Sequence, residues 1–138
     1  MIKVRTGSGY LPGFTLTELL VVLIIIGILV LMVMPRLMPL ISGARSKEAQ
    51  IQLKHLYRLE KAYYMEHAEY SADMTAIGFE QESPATEGGK ANYRIEIVEA
   101  GFDGFRAVAE AVKDFDGDGV FNRWEIDQNM NLVEISKD

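Results

Sequence analysis

From Leu19 to Met34 every residue is apolar or glycine, sixteen in succession. With Phe14 to Glu18 added, the stretch makes a helix about 30 Å long, the thickness of a bilayer core. Lys3 and Arg5 precede it, the basic flank expected on the cytoplasmic side of a membrane. A secretory signal would have a shorter apolar part ending in a small-residue cleavage site, whereas Pro35 and Arg36 follow here. The pattern predicts a retained membrane helix over 14–42. It contains a carboxylate, Glu18, a glycine, Gly27, and a helix breaker, Pro35.

Beyond it the apolar positions fall into helical spacing. Residues 44–70 hold no Gly or Pro, and over 43–70 the helix continues in amphipathic form. Ala49, Leu53, Leu56, Tyr57, Leu59, Tyr63 and Tyr64 share one face, the width of a core-facing stripe. Lys47, Lys54, Arg58 and Lys61 lie opposite. Tyrosines at this spacing read as core packing rather than as a conducting stack. Residues 71–91 carry Pro84 and Gly88-Gly89 as turn signals and read as a loop, pinned by Ile77 to Phe79. From Tyr93, "YRIEIVE" alternates as a strand does. "FRAVAEAV", residues 105–112, is ambiguous, because its alanines favour helix.

Charge divides the chain. Residues 1–65 hold eight Lys/Arg against three acids; residues 66–138 hold six against seventeen. An acidic half of this kind argues against nucleic acid as its partner. No cysteine is present to staple a small head.

The densest chemistry is "DFDGDGVFNRWEID", Asp114 to Asp127. Asp114, Asp116, Asp118, Gly119 and Glu125 fit the D-x-[DN]-x-[DN]-G-x5-E calcium-loop spacing. Alternate carboxylates converge on a hard cation, the glycine permits a sharp turn, the Val120 carbonyl adds an oxygen, and Glu125 closes the site. Asn122 stands where a ligand acts through water. The flanks read as strands rather than paired helices, and there Asp127 is an alternative closing ligand. A metal-free Asp/Gly turn is the competing reading. Ca²⁺ is the expected cofactor, doing for a cysteine-free head what a disulfide would.

The stretch "GFTLTELLVVLIIIGILVLMVMP", residues 13–35, resembles the N-terminus of type IV prepilins and type II secretion pseudopilins. The resemblance implies a leader peptide over 1–13, cut between Gly13 and Phe14 by a prepilin peptidase that then N-methylates Phe14. It gives Glu18 an inter-subunit role in assembly, and partial unwinding between Gly27 and Pro35 as subunits pack. The residues alone support simpler accounts as well. A new ammonium at Phe14 and the positive end of a helix dipole both favour a carboxylate one turn on, in the same chain or a neighbour's. Pro35 cannot donate to the Leu31 carbonyl and also suits a plain kink. By the same resemblance 105–112 is a strand. The fold class is then α+β: a long helix, apolar then amphipathic, on a small antiparallel sheet within an acidic head over 71–138.

The implied function is a structural subunit of a type IV pilus-like filament, with a pseudopilin of a secretion system as the alternative. A membrane-tethered calcium-binding module without polymerisation is a reading from another class. The implied partners are copies of itself, the prepilin peptidase, an inner-membrane assembly platform, a cytoplasmic motor ATPase and, before assembly, membrane lipid. The implied location is the bacterial inner membrane with the head outside the cytoplasm, then an extracellular pilus or periplasmic pseudopilus. No enzymatic site is expected: there is no cysteine nucleophile, and His55 and His67 stand twelve residues apart on one helix.

Overall fold

The computed structural model describes Gly9 and residues 13–137; Lys3, Arg5 and most of the expected leader lie outside them. One helix, α1, runs from Leu16 to His67, so the apolar and amphipathic stretches form a single element. Gly27 and Pro35 do not interrupt it, and it ends three residues before the expected Tyr70. Ala68 takes a left-handed φ of 58°, which stops a helix.

The chain divides into two compact units, residues 1–36 and 37–138. In the first, the large apolar side chains from Leu19 to Met34 are exposed, between 42% at Val22 and 75% at Leu31. The run is apolar around the whole helix and leaves no polar face to turn to water.

In the second unit four strands follow: β1 (Tyr93–Ala100), β2 (Phe105–Ala111), β3 (Arg123–Asp127) and β4 (Leu132–Ser136). They form an antiparallel sheet in chain order. Ala49, Leu53 and Leu56 of α1 are fully buried in one cluster with Tyr93, Ile95, Phe105, Ala107, Ala109, Ala111 and Ile126 of the sheet. Burying each leucine contributes about 1.5–3 kcal/mol. Ala107, Ala109 and Ala111 of β2 belong to that cluster. Both flanking strands supply ladders, pairing Ala109 with Ile95 and with Trp124. Tertiary pairing thus overrides the helical preference of alanine, and 105–111 is a strand.

The 71–91 connection is pinned where expected, with Ile77 and Phe79 buried. Its second half closes on itself: Ala91 N–H donates to Ser83 O at 3.1 Å and Gly89 N–H to Pro84 O at 2.9 Å. A side chain at Gly89 would collide with Ser83, which explains a glycine there.

Candidate functional site

At the start of α1, Thr15 and Glu18 bond reciprocally. Glu18 Oε2 accepts from Thr15 N–H at 2.9 Å and from the Thr15 hydroxyl at 2.8 Å; Glu18 N–H donates to Thr15 Oγ1 at 3.2 Å. This is a capping box, T-x-x-E, which satisfies amides that the first helical turn leaves unpaired. Its signature stood in the sequence as "TLTE" ahead of the apolar run. Glu18 therefore has a partner within its own chain, beside the Gly13-Phe14 junction. Gly13 and Phe14 are exposed, Phe14 by 81%.

Among the described residues α1 is the one helix long and apolar enough to cross a membrane, with an 18-residue window of mean hydropathy 3.0 and none of it buried.

The acidic loop lies between β2 and β3. Gly117 and Gly119 both take left-handed φ, 85° and 88°, and wrap backbone amides around carboxylates. Asp114 Oδ2 accepts from Gly119 N–H at 2.7 Å and its Oδ1 from Gly117 N–H at 2.6 Å. Those two amides hold the Asp114 carboxyl below its ordinary range. Asp116 accepts from Asp118 N–H at 3.0 Å, and Asp118 from Val120 N–H at 2.7 Å. Carboxylate oxygens of Asp114, Asp116 and Asp118 lie within 4.8 Å of one another, a spacing that suits oxygen donors around one divalent cation.

The other expected ligands are engaged elsewhere. Asn122 is buried, 1% exposed; it accepts from the Tyr93 hydroxyl at 2.7 Å and donates to Glu134 and the Ser136 carbonyl. It clamps β1 to β4. Glu125 lies within β3, paired with Val108 and Val133, and faces Arg106 at 3.4 Å. Asp127 caps the β3–β4 turn, accepting from the Asn129 and Asn131 amides and the Asn131 side chain. Desolvation raises its carboxyl, but the Asn131 and Asn129 bonds outweigh that and lower it. The strands draw these residues away: β3 begins at Arg123, before a helical loop would have closed.

No protein-family model matches the chain. It is 36% identical over 83 residues to the type IV major pilin protein PilA of Myxococcus xanthus, 60% of this chain and 36% of that protein. A long helix opening on an apolar half, followed by a four-stranded antiparallel sheet, agrees with that relationship. Over those 83 residues the chain is similar to a type IV pilin. It spans 36% of the length of the relative it matches.

One residue was not picked out by the sequence pattern. Glu60 follows Ala49, Leu53 and Leu56 on the buried stripe and is itself fully buried. The spacing of that stripe was the available signal, since it puts a carboxyl where an apolar side chain is expected.

Proposed function

We propose that this chain is a structural subunit of a type IV pilus-like filament. One observation carries the reading: an apolar helix without cover of its own, headed by Gly13-Phe14 and the capped Glu18. Sixteen exposed apolar or glycine positions need a solvent other than water. Lipid supplies it to the precursor and neighbouring subunits supply it in a polymer. Cleavage after Gly13 creates the Phe14 ammonium next to the capping box, and N-methylation keeps it basic. Glu18 then has a choice between its own cap and the ammonium of an adjacent copy. Exchange between the two gives a subunit that is self-satisfied in the membrane and bonded across the interface once packed.

The partners on this reading are other copies of the chain, the prepilin peptidase, the inner-membrane platform and the motor ATPase behind it. The head stands outside the cytoplasm, and the chain's role is structural rather than enzymatic. The name of the relative favours a pilus over a pseudopilus. Shearing filaments from cells with and without the peptidase tests the reading. The chain is expected in the sheared polymer only when the peptidase is present; a membrane monomer in both strains counts against it.

A second reading concerns the acidic loop, and the convergence of Asp114, Asp116 and Asp118 favours it. These three, with the Val120 carbonyl and water, would hold Ca²⁺, which accepts six to eight oxygens in a flexible arrangement. Glu125 and Asp127 would contribute only by leaving Arg106 and the β3–β4 turn. The bound ion would neutralise three crowded carboxylates and fix the loop.

A further inference from the structure

Glu60 lies in the interior between α1 and the segment that follows it. Its Oε2 accepts from Ser71 N–H at 3.1 Å. Its Oε1 is buried and has no hydrogen-bond partner. Ser71 belongs to the corner where the chain leaves α1. There Ala68 turns left-handed, Tyr70 N–H donates to Gly101 O at 3.1 Å, and the Tyr70 ring packs on Tyr64 and Phe105 at 4.6 and 5.1 Å. The bond to Glu60 ties that corner to the inner face of the helix, and the bond to Gly101 ties it to the β1–β2 turn.

The charges around this carboxyl do not compensate it. On α1 the adjacent cation, Lys61, is bonded to the Tyr70 hydroxyl at 2.7 Å; Arg58 is exposed on the opposite side. The corner itself contributes Glu69 and Tyr70. The core cluster has tyrosines as its titratable members, Tyr57 and Tyr63 on α1 itself and Tyr70 and Tyr93 beyond it. Among the described residues no cation pairs with Glu60. Burial therefore pushes its carboxyl above the ordinary glutamate range, and the Ser71 amide offsets this only in part.

We propose that Glu60 is a proton-operated latch on the corner 68–71. Neutral, it sits in the core and holds Ser71. Ionised, it is a buried charge without a counter-ion, and it reaches water only when the corner opens. A folded-state pKa above the unfolded one means that the latch's stabilisation is complete in acid. It is lost as pH rises through the folded value. Acid closes the corner and alkali loosens it, so the conformation of the head responds to the acidity of the medium.

Amide exchange on the full chain in detergent micelles tests this, with protection at Ser71 and Tyr70 corrected for the intrinsic pH dependence of exchange. Between about pH 4.5 and pH 8, wild-type protection at both amides is expected to fall as Glu60 ionises. Glu60→Gln keeps the acceptor for Ser71 and is expected to show no fall, while Glu69→Gln keeps the wild-type fall. Flat protection in the wild type, or an unchanged fall in Glu60→Gln, overturns the proposal. Should Glu60→Gln not fold, the carboxyl ¹³C shift of Glu60 in the wild type decides: a midpoint above the ordinary glutamate range supports the latch, and an ordinary midpoint overturns it.

Discussion

The Tyr93 hydroxyl donates to Asn122 Oδ1 at 2.7 Å inside the head, and both residues are about 1% exposed. The bond joins the first strand to the residue just before the third, and through Asn122 it reaches Glu134 of the last. Tyr93→Phe removes one hydroxyl and leaves the Asn122 oxygen unsatisfied in the interior. We expect a loss of about 1–3 kcal/mol in unfolding free energy. Thermal denaturation of the full chain in micelles measures it. The same loss should appear with calcium present or chelated, because Asn122 acts as a clamp.

Asn122 also shows why part of the candidate site was not legible in the chain. Loop spacing alone puts it three residues after Gly119, among the ligands of a calcium loop. Its burial depends on where β3 begins and on the partner that Tyr93 offers from 29 residues away, and neither is a local property. The three aspartates were legible because their convergence needs only the loop's own glycines. The apolar run was legible from length and hydropathy, and the strand at 105–111 only through resemblance. Glu60 was hidden for the opposite reason: a charged residue on an apolar stripe reads as an exception until its burial is seen.

Glu18 offers a second prediction. Glu18→Ala removes the side-chain half of the Thr15–Glu18 box and leaves the 52-residue helix otherwise intact. The variant should be cut and stay in the membrane, yet enter filaments poorly. Glu18→Asp, with its shorter reach, should fall between. Quantifying subunit in sheared filaments against membrane checks this, and wild-type yield from Glu18→Ala would remove Glu18 from assembly.

For the acidic loop, calcium binding to the folded state alone raises stability with ligand concentration. The gain is about 2.7 kcal/mol at 100 times the dissociation constant. The full chain in micelles should melt at lower temperature in chelator and recover with added Ca²⁺. Asp116→Ala combined with Asp118→Ala should abolish the difference. Coincident wild-type melting curves in chelator and in Ca²⁺ would leave the loop an Asp/Gly turn stapled by its own amides.

Asp127 makes a pH prediction of opposite sign to that of Glu60. Its folded-state pKa is lowered, since the bonds from Asn131 and Asn129 outweigh desolvation. Its stabilisation is therefore present above the ordinary aspartate range and lost as pH falls below about 4. Asp127→Asn keeps an acceptor for the turn that holds Met130 at φ 65° but removes the charge. Melting temperatures measured from pH 7 down to about pH 2.5 should show a steeper acid decline in the wild type than in the variant.

The central claim is that Gly13-Phe14 is a processing junction leading to a polymer, and the mass of the chain's N-terminus tests it most directly. Protein recovered from cells that contain the prepilin peptidase should begin at N-methyl-Phe14, without the residues up to Gly13. An intact chain beginning at Met1 in such cells, with Phe14 neither exposed by cleavage nor methylated, would contradict the account.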